Sequence, residues 1–275
     1  MSRLWLLMLM MVLAAGAQAE QRALWEAGIG PAGVSFPDYR GANERTSYVL
    51  PLPYIVYRGD FIKADRQRVR GLLFESERAE MDVSMSGTAP VRSKNNATRF
   101  GMRDLDATLE LGPSLNLKMM DFGGKRHTLE LRLPLRTVTA TDFKRVHYEG
   151  LVFQPQVNLD NRDFAGVPGL NLGIAAGPVF ADRRYHQFVY GVEAPYATAA
   201  RPLYQARGGY GGSQLIMAVS KRFPDFWAGA FMKYDNLSGA VFENSPLVKS
   251  KSGLTVGLGV AWVFAESKTK VESKD

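Results

Sequence analysis

The chain has 275 residues, no cysteine, and 34 Lys and Arg against 27 Asp and Glu, so its formal net charge is +7. The absence of cysteine excludes disulfides, thiolate metal ligands and a lipid-modified cysteine within this chain. The basic residues are scattered along the chain rather than grouped on a helix, which argues against a nucleic-acid partner.

The N-terminal segment has the features of a secretory signal peptide. Arg3 precedes an unbroken apolar run from Leu4 to Ala15, and Ala17-Gln18-Ala19 is a small-x-small cleavage site. The run is too short to cross a bilayer as a helix. We therefore predict that residues 1–19 form a cleaved signal peptide and that residues 20–264 form the exported domain.

Alternation of apolar and polar residues dominates the rest of the chain. Within Leu105–Leu117 the odd positions are apolar and the even positions polar or small. In Leu254–Phe264 every even position is large and apolar, and the odd positions are small or weakly polar except Val263. A strand sends alternate side chains to opposite faces, so each segment has one apolar face. Charges, Gly or Pro interrupt every apolar run well short of about 18 residues, so membrane insertion would have to use strands.

The pattern predicts an all-β fold, a transmembrane antiparallel up-and-down β-barrel of about 12 strands, with ten and fourteen as the limits. Several strands reach about 10 residues, enough to cross a bilayer at a tilt. Their polar faces carry charges such as Glu110 and Arg132, which suits a wet lumen. Alternation by itself does not distinguish this barrel from a periplasmic β-sandwich. The predicted strands lie near residues 24–35, 47–58, 68–75, 78–86, 104–118, 127–137, 149–159, 168–179, 186–193, 207–220, 225–235 and 253–264.

Three Gly-Pro pairs lie inside alternating segments, at Gly30-Pro31, Gly112-Pro113 and Gly177-Pro178. Because proline has no N–H for the ladder, we interpret each pair as a kink that helps the sheet to curve. Helical periodicity is weak, and only residues 194–206 are compatible with a short helical turn. The charged tail at 265–275 is predicted to be disordered. The predicted long loops are 37–46, 87–103, 139–148, 194–207 and 237–252.

The segment Leu50–Asp65 resembles the signature of the MipA/OmpV family of Gram-negative outer-membrane barrels. The resemblance continues in order through nearly all of the predicted mature chain. Its further matching segments are Pro37–Gly41, Arg99–Asp106, Gly112-Pro113, Gly177-Pro178, Tyr190–Val192, Arg201–Tyr204, Gly239–Val248 and Ala261–Phe264.

The resemblance implies a location in the cell outer membrane, in contact with membrane lipid and lipopolysaccharide. Founding members of the family are described as scaffolds that bring a murein lytic transglycosylase together with a murein synthase, and others as surface antigens or adhesins. We therefore predict a non-enzymatic scaffold for peptidoglycan-remodelling enzymes. The alternatives are a narrow passive channel and a surface-exposed adhesin or antigen.

No catalytic residue, cofactor or metal site is predicted. The histidines are His127, His147 and His186, and the chain has no Gly-x-Ser-x-Gly segment that would place a nucleophilic serine. Unpaired charges in a restricted lumen are costly, so the charges in or beside the strands are predicted to form a structural network that faces inward. Its predicted members are Arg58, Asp60, Asp65, Arg99, Asp104, Asp106 and Arg201.

Overall fold

A computed structural model describes residues 21–59, 62–64, 69–123, 126–142 and 144–272. The predicted signal peptide therefore lies outside the described residues. Most of the chain forms one antiparallel sheet of thirteen strands. The elements are β1 (Gln21–Ala23), β2 (Trp25–Pro37), β3 (Arg45–Arg58), β4 (Ile62–Ala64), β5 (Val69–Glu75), β6 (Ala79–Thr88), β7 (Ala107–Phe122), β8 (His127–Thr141), β9 (Val146–Phe153), β10 (Gln156–Asn161), β11 (Leu170–Ala181), α1 (Arg183–Tyr190), β12 (Gly209–Arg222), β13 (Phe226–Asn236), β14 (Ser252–Glu266) and β15 (Lys270–Glu272).

The sheet closes into a barrel, because β8 pairs with both β9 and β10 and β11 also pairs with both. The strands β9 and β10 are two halves of one wall strand, interrupted at Gln154-Pro155. Counting them as one reduces the thirteen strands to twelve. Successive strands are antiparallel neighbours, so the predicted up-and-down barrel of about twelve strands is confirmed.

Strand β14 shows how the sequence pattern divides the barrel wall into two faces. Leu258 and Trp262 are 68% and 62% exposed on the outer face, whereas Ala261 between them is fully buried on the inner face. The outward row from Leu254 to Phe264 covers about 33 Å along the strand. At a tilt of about 40° this gives an apolar band about 25 Å tall, the height expected for a membrane barrel.

The three Gly-Pro pairs are kinks, as predicted. The ladder between β2 and β14 is interrupted at Gly30-Pro31, and the ladder between β7 and β8 at Gly112-Pro113. The Gly177-Pro178 pair lies beside the Gln154-Pro155 break in the neighbouring wall strand. A Cβ on any of the three glycines would overlap a backbone carbonyl oxygen of the adjacent strand. The kinks therefore require glycine because the two backbones approach closely there.

The strand predicted at 186–193 is wrong, because residues 183–190 form the helix α1. The side chain of Asp182 caps this helix by accepting a hydrogen bond from the backbone N–H of Tyr185 at 2.9 Å. His186, Val189 and Tyr190 are buried on one helical face. These aromatic and β-branched residues favour strands intrinsically, and packing against other loops overrides that preference. The short strand β4, which was not predicted, keeps the total at twelve.

Two other expectations are corrected. The predicted loop 139–148 is mostly strand, because β8 continues to Thr141 and β9 begins at Val146. The tail predicted to be disordered at 265–275 is ordered as far as it is described, since β15 pairs with β1 in a separate two-stranded sheet. The helical turn expected within 194–206 is a 3-10 helix at Ala194–Tyr196. None of the helices in the described part of the chain has the length and apolarity to span a membrane.

The two ends of the barrel differ in the length of their connections. We call one the loop end, because it carries the long connections 38–44, 89–106, 182–208 and 237–251. The other is the turn end, where the described connections include 76–78, 162–169 and 223–225 and where β1 and β15 also lie.

Candidate functional site

The four long connections pack into one cluster, which we call the loop cap (residues 38–44, 89–106, 182–208 and 237–251). Its core contains buried side chains from all four connections, including Tyr39, Val91 and Leu237. At its centre the ring of Tyr190 stacks on that of Phe242, with ring centroids 3.6 Å apart and planes 10° apart. Burial of an apolar side chain of this size stabilises by about 1.5–3 kcal/mol, so the loop cap is a packed unit.

The helix α1 places the loop cap in the mouth of the barrel. Val138, Val152 and Val179 form a buried layer at the loop end of β8, β9 and β11, and Tyr185 of α1 packs against this layer. Burial raises the pKa of the Tyr185 and Tyr190 hydroxyl groups far above their usual range. The helix therefore lies against the inner wall of the barrel at the loop end.

A row of hydrogen-bonded polar side chains, which we call the polar belt, lies on the inner wall below α1. Arg136 donates from Nε to Glu110 at 2.9 Å and from Nη2 to Gln154 Oε1 at 2.7 Å. Gln154 in turn donates to Gln214 Oε1 at 2.6 Å. The belt thus joins β7, β8 and β12 through the Gln154-Pro155 break.

The polar belt continues from the wall into the loop cap. Gln214 donates to Asp235 Oδ1 at 2.7 Å, and Arg40 donates from Nε to the same oxygen at 2.7 Å. Burial lowers the pKa of the Arg40 guanidinium, but attraction to Tyr190 and Asp235 outweighs burial, so the net pKa is raised. Arg40 therefore remains charged and links the loop 38–44 to the wall strand β13.

A second cluster of charges crosses the interior at the turn end. Glu26 is buried and forms ion pairs with Arg58 and Arg222, each with an N–O distance of 2.8 Å. Tyr54 donates its hydroxyl hydrogen to the same carboxylate at 3.1 Å. Because β13 and β14 separate β12 from β2, Arg222 reaches past two strands to Glu26.

The residues predicted to form one charge network lie in two separate places. Arg58 belongs to the Glu26 cluster at the turn end, whereas Arg99, Asp104 and Arg201 belong to the loop cap. Asp60 and Asp65 lie outside the described residues. Five further residues of these clusters were not predicted: Glu26, Arg40, Gln154, Gln214 and Asp235. For those that lie in strands, the available signal was a polar side chain at an inward position.

Inside the loop cap, the predicted charges bind backbone groups. Arg99 is buried, donates to the carbonyl oxygen of Val189 at 3.1 Å and lies 5.8 Å from the ring centre of Tyr39. Burial lowers the pKa of Arg99 to about 10. Arg201 donates to the carbonyl oxygen of Thr98 at 2.9 Å, and Asp104 accepts from the backbone N–H of Ser93 at 2.7 Å. These side chains fix the loops relative to one another.

Asp106 lies at the start of β7, at the rim of the loop end. Burial raises the pKa of its carboxyl group, and the neighbouring Asp142 raises it further. Asp106 is the last residue of the connection 89–106, at the loop end of the barrel.

His186 lies within the loop cap. Its Nδ1 atom is 2.7 Å from the carbonyl oxygen of Arg207, and its ring contacts Phe242 with centroids 4.6 Å apart. Burial lowers the pKa of the ring, although the hydrogen bond to Arg207 opposes this shift. Across the described residues, no group of three or more His, Asp or Glu side chains is arranged to hold a metal ion.

The turn end presents one unusual connection, residues 162–169, which we call the apolar turn. Phe164 and Val167 are exposed at its tip. Asp163 and Ala165 adopt left-handed backbone angles, with φ of 51° and 56°. The side chain of Asp163 braces the turn by accepting from the N–H of Gly169 at 2.7 Å. A fixed turn that holds apolar side chains in water is typical of an interaction surface.

A family model described as MltA-interacting protein MipA matches residues 29–264. No curated protein matches the chain. Among solved structures, the NanC porin is similar with a TM-score of 0.38, 8% identity, and coverage of 87% of this chain and 99% of that chain. OprG from Pseudomonas aeruginosa is similar with a TM-score of 0.22, 10% identity, and coverage of 89% and 95%. The barrel is established by the closed ladder of its own strands.

Proposed function

We propose a scaffold function from the premise that this chain belongs to the MltA-interacting protein MipA family. The protein is an outer-membrane β-barrel, and the family match covers nearly all of that barrel. By analogy with the family description, the partners are peptidoglycan-remodelling enzymes, a murein lytic transglycosylase and a murein synthase. In this proposal the barrel itself performs no chemistry and holds these enzymes against the membrane.

The turn end is the face proposed to bind the partners. Outer-membrane barrels have short periplasmic turns and longer extracellular loops, so the turn end would face the periplasm, where peptidoglycan lies. The observation that carries the proposal is the apolar turn, which holds Phe164 and Val167 exposed on a braced backbone. A rigid apolar tip loses little conformational entropy when a partner covers it.

The packing at the loop end favours a scaffold function rather than a channel function. The loop cap fills the mouth of the barrel, and the polar belt cross-links the wall below it. A barrel of about twelve strands has a narrow interior, so such a plug leaves little room for permeation.

Export completes the proposal. Cleavage after Ala19 would free the N-terminus close to β1, which begins at Gln21. N-terminal sequencing of the protein purified from outer membranes tests this step, and recovery of the chain with residues 1–19 attached would contradict it.

Site-specific crosslinking tests the docking surface. We expect a photo-reactive amino acid at Phe164 to form adducts with a murein transglycosylase or synthase in intact cells, because the apolar turn would be covered by the partner. The matched control is the same group at Phe100, an exposed aromatic residue on the loop cap. Adducts at position 164 restricted to lipid or porins would contradict the proposal, as would enzyme adducts at position 100 alone.

A further inference from the structure

The outer face of the barrel carries a pocket of about 450 Å³ across β11, β12 and β13, near the loop end. Leu215 of β12 pairs with Ala176 of β11 on one side and with Tyr234 of β13 on the other. Tyr234 in turn pairs with Leu254, the first residue of the outward row on β14. Paired residues of antiparallel strands point to the same face, so these side chains point outward. The pocket therefore opens towards the bilayer and not towards the lumen.

The floor of the pocket follows from the kink at Gly177-Pro178. The register between β11 and β12 shifts between Pro178 and Phe180, and such an irregularity bends the sheet locally. The outward side chains beside the kink are small, because Ala176 precedes it and Ser213 pairs with Pro178. The outer surface is therefore recessed at this point, and the pocket is built into the backbone of the wall.

Larger side chains lie beyond the pocket in both directions along the strands. Towards the loop end, the ring of Phe180 contacts that of Tyr210 edge to face, with centroids 5.8 Å apart, and lies 6.4 Å from that of Phe153. Aromatic rings in this position are typical of the girdle at a membrane–water interface. Towards the turn end, Ile174 pairs with Met217 on the outer face. The pocket thus lies just inside the apolar band, in the half of the bilayer nearer the loop end.

The chemistry of the pocket is apolar. None of its lining residues is Asp, Glu, Lys or Arg, and its sides are formed by the large side chains of Leu215 and Tyr234. A phosphate group would require a cationic partner, which this lining does not offer. Strand β12 is paired with β11 and with β13 at Leu215, so no sheet edge is free there for a peptide strand. The lining therefore suits an apolar chain.

We propose that the pocket holds one acyl chain of a membrane lipid, whose head group lies at the loop end, beyond the rings of Phe180 and Tyr210. The pocket is continuous with the apolar band, where acyl chains are the surrounding solvent. Lipid chains are as apolar as the wall, so packing decides which of them is held. A chain between Leu215 and Tyr234 gains dispersion contacts on several sides, whereas a flat wall offers one side. This lipid seat does not depend on the scaffold function.

Photo-crosslinking from the lipid tests the seat. The protein is placed in phosphatidylcholine vesicles that contain a small share of the same lipid with a diazirine in one acyl chain. After irradiation, peptide sequencing by mass spectrometry gives the adduct yield at each outward residue. The reference is Leu109, an outward residue near the loop end of β7, on another part of the wall. Leu109 is 47% exposed, compared with 36% for Leu215, so labelling that follows exposure favours position 109.

Adducts at Leu215 are expected to exceed those at Leu109 severalfold, because a seated chain stays beside position 215. Ala176→Trp fills the pocket from its floor and should remove this excess. The matched control is Ala230→Trp, which places the same ring on the outer face of β13, opposite Leu258, and should leave the excess unchanged. Resistance to trypsin confirms an intact barrel in each variant.

Two results would overturn the lipid seat. One is a yield at Leu215 equal to or below that at Leu109, which is the pattern of lipid that contacts the whole wall without preference. The other is an excess at Leu215 that persists in Ala176→Trp, since the chain would then lie outside the pocket.

Discussion

At the residue scale, arginine side chains make two kinds of contact in this barrel: ion pairs with carboxylates and hydrogen bonds to backbone carbonyl groups. Arg58, Arg136 and Arg222 pair with carboxylates on the inner wall, where strands hold the partners at fixed register. Arg99 and Arg201 donate to backbone carbonyl groups, because the loops have no ladder to satisfy those oxygens. The guanidinium group suits both tasks because it offers five donors in one plane.

His186 makes the loop cap sensitive to acid. Burial lowers its pKa, so the folded protein binds fewer protons at this ring than the unfolded chain does. The contribution of His186 to the free energy of unfolding is therefore fully present above a pH of about 6.5, the pKa of the unfolded chain. It is lost as the pH falls towards the lowered pKa of the folded protein. We expect hydrogen exchange in residues 182–208, corrected for intrinsic rates, to accelerate on acidification through that range.

Two substitutions separate this effect from a general acid response. His186→Phe should remove the acid sensitivity, because phenylalanine does not titrate, whereas His147→Gln at the rim should retain it. A loop cap with the same corrected exchange at neutral and mildly acidic pH would contradict the assignment to His186.

At the element scale, α1 shows how a short helix becomes stable through its surroundings. Eight residues are too few for an isolated helix in water. The Asp182 cap satisfies its first turn, and His186, Val189 and Tyr190 bury one face in the loop cap. The helix and the loop cap therefore depend on each other.

Removal of the helix cap should loosen the loop cap and leave the barrel wall intact. Asp182→Ala is expected to cost about 1 kcal/mol, because the N–H of Tyr185 loses its acceptor. Exchange should accelerate several-fold in residues 182–208 and remain unchanged in β12 and β13. Asp182→Asn, which retains an acceptor oxygen, should restore slow exchange. Equal acceleration in the wall strands would show that α1 is not a separate unit.

At the scale of the whole molecule, packed and hydrogen-bonded side chains connect distant strands and loops at both ends of the barrel. The loop cap fills the mouth, the polar belt crosses half of the wall, and the Glu26 cluster ties β2, β3 and β12 together at the turn end. Such cross-links make a narrow lumen rigid, as the proposed scaffold function requires.

Electrical recording tests closure by the loop cap. The intact protein should show no discrete conductance steps in planar bilayers, and the double variant Tyr190→Ala with Phe242→Ala should show them. Each truncation removes a buried aromatic ring at a cost of about 3–5 kcal/mol, which unpacks the centre of the loop cap. Phe100→Ala, on the exposed surface, should stay silent. Conductance by the intact protein would contradict closure.

The sequence by itself determined the two faces of the wall, the three kinks and the approximate number of strands. Each depends on local geometry, since side chains alternate along any strand and proline lacks an N–H wherever it occurs. The resemblance of Leu50–Asp65 to the family signature was also visible in the sequence.

Only the tertiary structure decided which charges meet and which segment becomes α1. Arg40 and Asp235 are 195 residues apart, and their contact exists because the closed ladder brings loop 38–44 beside β13. The described members of the predicted charge network are divided between the turn end and the loop end for the same reason, since sequence position does not reveal which end of a barrel a residue occupies. Packing of four distant loops around Phe242 likewise turned a segment of strand-prone residues into a helix.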